Sequence, residues 1–363
     1  MVFKEHFKDI KKDMWQALAE CKKPVVLYGM GDGADKIIAE LEKRGIAVSG
    51  VFASDGHVPK GEKLFHGHRI KSYSETKAEF GDITVLVAFG TKLEEVLQNI
   101  HRISLENELY APDVPVFGDG IFDLEYFGKN LSRLEKIYDL LYDDISKKAF
   151  VCSLKYRLTG DIKYLFECET DAAEGFRNIF APFNNCSYID IGAYNGDTIR
   201  EFASLAGNNI TVYAVEPDRR NFKKLSDYAE NCGIRDIKLY NAAAWDKNED
   251  ITFFSRSGRN SAQSTAHSGA KAVTVKGITA DSIAEQADFI KIDAEGSDKK
   301  ALLGMKELIS ASRPSLCVAA YHRTEDYFDI PECVLNIYDG YKVLFRHSRH
   351  VPCWDTNFYF INK

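Results

Sequence analysis

From Ser187 to the C-terminus, apolar runs of strand length alternate with amphipathic stretches of helical period. The runs are "SYIDIGA", "TVYAVEP", "IKLYNAAAW", "DFIKIDAEG", "PSLCVAAYH", "YKVLFRHS" and "NFYFINK". Seven strands with helices between the first five predict a mainly parallel sheet. The last two, separated by a short polar turn region, predict a hairpin that reverses one strand at the sheet edge. A second α/β rhythm comes earlier. "PVVLYGMGDGADKIIAELEKRG" is a strand, a glycine turn and a helix ended by Gly45, and "IAVSGVFASD" and "ITVLVAFG" supply two further strands. Between them, residues 126–180 have helical periodicity, few strand signals and none of the Gly/Ser/Pro character of a flexible linker. The pattern therefore predicts a Rossmann-like unit over 1–125, a helical connector over 126–180 and a larger α/β unit over 181–363. At the start, Phe3, Phe7, Ile10, Met14 and Leu18 fall at helical spacing among charges, which predicts a packed amphipathic helix and not a secretion signal.

Composition narrows the function classes. A length of 363 residues suits two domains, and 45% apolar with 28% charged residues is ordinary for a globular protein. A net charge of −7 gives no basic field for nucleic acid or an anionic membrane. No apolar run reaches the roughly 20 residues needed to span a bilayer, so membrane insertion is not expected. The eight cysteines contain no CxxC pair, which reads as reduced thiols in a cytoplasmic protein. Small-molecule partners fit best, and assembly into oligomers is left open.

Two turns carry candidate chemistry. Gly29, Gly31 and Ala34 match G-x-G-x-x-[GA], and Asp55 ends the next strand where a ribose-binding acid would come. The same glycines also serve tight turning and close packing in domains that bind nothing. In "YIDIGAYNGDT", Gly192 and Gly196 stand four apart, unlike the glycines that wrap a pyrophosphate. Asp190 lies at the carboxyl end of its strand, able to meet an ammonium group directly or through water, and Gly192 would let backbone approach a ligand. Glu216 in "AVEPD" comes at the next strand end, where a carboxylate accepts from two ribose hydroxyls, and Ala244 and Trp245 in "NAAAW" would form an adenine slot. A ligand joining an amino acid to an adenosine ribose is S-adenosyl-L-methionine. Its candidate binding set is Asp190, Gly192, Ala193, Gly196, Asp197, Thr198, Glu216, Pro217, Ala244, Trp245 and Asp293.

These motifs, with "YAVEPDRRNFKKL" and above all "DFIKIDAEGSDKKALLGMKELISASRPSLCVAAYH", resemble the FkbM family of S-adenosylmethionine-dependent methyltransferases over about residues 187 to 348. The resemblance implies an α/β fold with the Rossmann-like seven-stranded sheet of class I methyltransferases, in which the hairpin's reversed strand is a distinguishing feature. It also implies methylation of a hydroxyl oxygen, often on a sugar or polyketide. Ser297-Asp298 departs from the family pattern, in which an acid often follows the small residue directly; this falls at a helix start and leaves the cofactor assignment intact. The first unit lies outside the family core.

Methyl transfer to an alcohol needs the acceptor oxygen aligned and its proton removed. Asp293 and Glu295 end the fourth strand and His322 the fifth, with Lys291 on the same side as Asp293. Asp293 is expected to face the reaction centre, with Glu295 or His322 as base or substrate anchor. Alternatively Glu295 caps the following helix, or His322 is a satisfied strand-end histidine. A metal gathered by Asp293, Glu295 and His322 is a further alternative, without specific ligand spacing. The Ser/Gly-rich stretch 253–273 predicts a mobile loop over the cofactor mouth, with Arg256 and Arg259 able to reach an anionic acceptor. Two other classes stay open: a NAD-dependent sugar-nucleotide oxidoreductase using Gly29, Gly31 and Asp55, and a non-catalytic nucleotide-binding protein.

Overall fold

The computed structural model describes residues 2–171, 174–255, 261–262 and 271–362. Its first sheet contains β1 (Val25–Tyr28), β2 (Val48–Ala53), β3 (Leu64–Phe65), β4 (His68–Ser72), β5 (Thr84–Val87) and β6 (Glu108–Tyr110), in the order β3-β4-β2-β1-β5-β6. All pairings but the short β3–β4 hairpin are parallel. The stretch around His66 and His68 looks like a polar loop in sequence because β3 and β4 are short and mostly unburied.

The larger sheet is built from β7 (Glu169–Thr170), β8 (Ser187–Ile191), β9 (Thr211–Val215), β10 (Asp236–Tyr240), β15 (Phe289–Ile292), β16 (Ser315–Ala319), β17 (Tyr341–Ser348) and β18 (Thr356–Asn362). Between β10 and β15 run β11 (Ala243–Ala244), β12 (Glu249–Ser255), β13 (Ser261–Ala262) and β14 (Lys271–Ile278), which form a separate sheet ordered β11-β14-β12-β13. The larger sheet is ordered β10-β9-β8-β15-β16-β18-β17-β7, and β18 is antiparallel to both its neighbours. All seven predicted strands are present. The reversed strand is not at the edge, however: β18 inserts between β16 and β17, and β7 adds an eighth strand outside β17.

Two other expectations change. Part of the stretch 253–273 is regular, because β12 and β14 pair antiparallel from Glu249↔Gly277 to Ser255↔Lys271; Arg256 and Arg259 lie outside the described residues. The N-terminal amphipathic stretch is two helices. A 3-10 turn spans Phe3–Phe7, and Asp13 caps a new helix, Met14–Ala19, by accepting from the Gln16 backbone N–H at 2.9 Å. Phe3 and Phe7 join the core of the larger sheet with Phe127 and Phe150, whereas Met14, Trp15 and Leu18 join that of the first. Within the predicted connector, helices Leu124–Leu140 and Asp144–Thr159 bury Leu134, Ile137, Phe150 and Leu154 in the larger core.

The two halves meet along one seam. Thr91, past β5, exchanges backbone hydrogen bonds with Val351 at 2.7 and 3.0 Å. Trp354 packs with Val116, Phe117 and Tyr321 and leaves no room for a side chain at Gly90.

Candidate functional site

The carboxyl ends of β8, β9, β15 and β16 bring most of the predicted residues together. Asp190 and Lys291 are register partners across β8 and β15. Their proximity follows from that pairing: Lys291 Nζ stands 3.7 Å from Asp190 Oδ1 and 3.7 Å from Asp293 Oδ2. The Thr198 hydroxyl donates to Asp190 Oδ2. Asp190 is fully buried, and burial raises its pKa against the pull of Lys291 and Thr198. An ammonium of the chain's own, that of Lys291, thus stands beside it. Its Oδ1 nevertheless has no hydrogen-bond partner.

Gly192 adopts φ +77°, and a Cβ there would lie 2.0 Å from the Asp293 carbonyl oxygen. Close contact between two strand ends by itself demands the glycine. Gly196, at φ +82°, opens the helix Asp197–Ala206, and its missing side chain makes way for Tyr228. Ala193 is buried and Asp197 exposed. The Ala193 N–H donates to the Val215 carbonyl at 3.1 Å, and the Asp197 carboxylate accepts from the Thr198 N–H at 2.9 Å.

Glu216 follows β9 and is 5% exposed. Its oxygens accept from the backbone N–H groups of Tyr194 (2.9 Å) and Asp218 (2.8 Å). Burial pushes its carboxyl up to about 7 despite these two donors. Asn241 holds the turn by donating to the Glu216 and Pro217 carbonyls at 2.9 and 3.2 Å. Ala244 and Trp245 do not form an open slot. Ala244 is buried in the larger core; Trp245 packs with Ala243, Ile251 and Val275, and its indole N–H donates to Glu249 at 3.2 Å.

Around Asp293 the charges interlock. The Tyr321 hydroxyl donates to both its oxygens at 3.1 and 3.2 Å, and His322 Nε2 lies 3.2 Å from Oδ1. Burial acts to raise the Asp293 pKa, but Lys291, His322 and Tyr321 hold it well below the usual carboxylate range. On the other side of the imidazole, Nδ1 lies 2.9 Å from Asp298 Oδ2. Asp298 also accepts the N–H groups of Ala294 (2.8 Å) and Gly296 (3.1 Å), so it secures the turn that Glu295 was a candidate to cap. Both His322 and Asp298 are 1% exposed. Burial works against the imidazolium, yet Asp298 and Asp293 raise the His322 pKa well above its ordinary value. Glu295 Oε2 is 3.8 Å from His322 Nε2, and its side chain is 40% exposed. Burial, with repulsion from Asp293 and Asp298, pushes Glu295 up to about 7 against the attraction of His322. Its backbone is left-handed at φ +49°, a costly conformation for a non-glycine residue.

Linear spacing assigns no role at the site to Tyr321, nor to Asp298 beyond its place as a departure from the family pattern. The signal for Asp298 was an acid at a helix start; nothing in linear spacing ties it to His322. Among the described residues the group able to gather an ion is Asp298, His322 and Asp326, not Asp293, Glu295 and His322. Those side chains are already hydrogen-bonded, Asp326 to the Arg323 N–H at 2.7 Å.

In the first unit the glycine turn has packing duties. A Cβ on Gly29 would sit 2.4 Å from the Phe89 ring, and one on Gly33 2.8 Å from the Ala88 carbonyl oxygen. Ala34 is buried, and Asp55 accepts from the Ser74 hydroxyl at 2.8 Å. None of these contacts requires a dinucleotide. No helix among the described residues is long and apolar enough to cross a membrane.

Comparison with known proteins agrees with this architecture. The sequence matches no curated protein. The crystal structure of methyltransferase FkbM from Methylobacillus flagellatus KT superposes over 99% of this chain and 97% of its own, with a TM-score of 0.73 at 20% identity, which shows a shared class I methyltransferase fold. A putative rRNA-methylase from Clostridium thermocellum matches 53% of this chain and 96% of its own at 13% identity, with a TM-score of 0.36. The model of the methyltransferase FkbM domain matches residues 190–342, from the buried Asp190 through His322 and into β17, so this stretch of the chain is similar to that domain.

Proposed function

We propose that the protein transfers the methyl group of S-adenosyl-L-methionine to a hydroxyl oxygen of a small, sugar-type acceptor. The observation that carries this is Glu216: a buried carboxylate past the end of β9, one strand from Asp190 and two from Asp293, pushed up to about 7 and accepting from two backbone N–H groups. Such a group suits the two donor hydroxyls of a ribose, which would stabilise its charged form. Asp190 Oδ1, which lies 3.7 Å from Lys291 Nζ and has no hydrogen-bond partner, fits a water-mediated contact with the amino acid end of the same molecule. When bound, that cofactor supplies an electrophilic methyl on a sulfonium.

The chain's own residues handle the acceptor. His322, held as a cation between Asp298 and Asp293, anchors the wall and is a poor base. Asp293, held low, is equally unsuited to take a proton but suited to orient an acceptor hydroxyl. Glu295, poised near neutrality and partly exposed, takes the proton as the oxygen–carbon bond forms. Calorimetry with S-adenosylhomocysteine tests the cofactor assignment. Binding is expected, and Glu216→Ala is expected to weaken it by about 1–3 kcal/mol; absence of binding to the native protein refutes the proposal.

A further inference from the structure

We propose that a cleft of about 550 Å³ at the seam between the two halves is the acceptor site, and that it takes an uncharged, hydroxyl-rich acceptor longer than one sugar ring. The inference rests on the methyl-transfer proposal above and adds where the acceptor lies and what it is.

Position comes first. β17 is antiparallel to β18, which is antiparallel to β16, so β17 and its parallel neighbour β7 end at the same sheet edge as β16. Ser348 and Thr170, the last residues of β17 and β7, therefore line the cleft on the edge that carries Asp293. Carboxyl edges of α/β sheets are where ligands bind. Neighbouring residues tie the cleft to the reacting groups. The Ala319↔Asn357 register, continued by the Ala320 N–H to Thr356 carbonyl bond of 2.9 Å, sets Tyr321 beside Asp355. Asp355 lines the cleft, and the Tyr321 hydroxyl donates to Asp293. From β15 to β17 the sheet crosses three strand spacings, roughly 14 Å. An acceptor with its reacting hydroxyl at Asp293 and its body in the cleft must span much of that distance.

The lining sets the chemistry. Thr170 is 8% exposed, and its hydroxyl has no partner. Ser348 adds a second hydroxyl and Phe166 an aromatic ring, the combination that meets the polar rim and C–H face of a saccharide. The two cations of the lining are both neutralised by the protein: Lys92 by Asp355 at 3.4 Å, and Arg349 by Glu94 at 2.7 Å and Glu169 at 3.5 Å. A phosphate would have to strip a cation from its carboxylate, whereas a neutral polyol exchanges hydrogen bonds with the pairs as they stand. Lys92 comes from the first half, so the site is incomplete without that unit.

Saturation-transfer NMR on the full chain, with S-adenosylhomocysteine present, tests this with glucose, maltose, cellobiose and lactose as probes. A disaccharide should bind at least about threefold more tightly than glucose. Ser348→Trp, which fills the cleft, should weaken it about tenfold or more, and the near-isosteric Thr170→Val about threefold. Calorimetric affinity for S-adenosylhomocysteine should stay within about twofold in both variants. No transfer to any disaccharide, or unchanged binding in both variants, overturns the proposal; tighter binding of glucose 1-phosphate overturns the uncharged assignment. Failure of S-adenosylhomocysteine to bind the native chain refutes the cofactor assignment instead, and the disaccharide data still judge the cleft.

Discussion

Two carboxyls pushed up to about 7 stand past the ends of β9 and β15, with β8 between them, and their surroundings give them different tasks. Glu216 is raised by burial, so ribose donors that favour its charged form lower its pKa on binding. Proton release then accompanies binding, and affinity for S-adenosylhomocysteine should be about tenfold weaker at pH 6 than at pH 8, levelling off above neutrality. Calorimetry across that range checks this, and Glu216→Gln should flatten the profile. Glu295 is exposed enough to meet an acceptor. Glu295→Gln should lower turnover by about 100-fold or more while cofactor affinity holds, as measured by single-turnover kinetics beside calorimetry. Asp298 acts through its neighbours: Asp298→Ala leaves His322 and two backbone N–H groups without their acceptor, and should cost about 3–5 kcal/mol in urea denaturation. The sequence showed Asp190, Glu216, Asp293 and His322 as strand-end residues because each follows an apolar run. It did not show that Asp298 meets His322, because the fold, through the β15–β16 pairing, brings a helix start beside the end of a later strand.

At the scale of elements, the turn after β8 is fixed by what cannot fit. Gly192→Ala would place a methyl group against the Asp293 carbonyl at a positive φ, and thermal unfolding should report a loss of at least about 2 kcal/mol. Gly45→Ala, also at positive φ but with open space around it, separates the two effects by carrying only the backbone penalty. The strands of the larger sheet were legible because strands buried on both faces read as continuous apolar runs. The insertion of β18 was not, since a hairpin can lie on either side of its neighbour and only the tertiary pairing selects one. Trp245 was misjudged for a related reason: its partners Ile251 and Val275 belong to a small sheet whose strands flank a Ser/Gly-rich stretch that looks like loop.

For the whole molecule, one short aromatic segment matters more than its length suggests. Phe3, 2% exposed, packs against Phe7, Tyr138 and Phe150, on helices that cover the larger sheet. Phe3→Ala should therefore cost about 3–5 kcal/mol, read by urea denaturation with a probe in the C-terminal half. The two main sheets were visible as separate runs of α/β alternation along the sequence. Attachment of its first residues to the far side was not, because five apolar positions at helical spacing look the same whether they serve one core or two. Synthesis order gives this attachment a further consequence. A ribosome adding about 5–20 residues per second needs on the order of ten seconds to go from Phe7 to Phe150. During that interval the strands and helices from Met14 to Tyr110 can already close on one another, while the two phenylalanines ahead of them wait in water. The larger core is thus completed by residues made on both sides of that interval, and the first sheet also waits for Tyr156, Ile162 and Val351 to fill its own core.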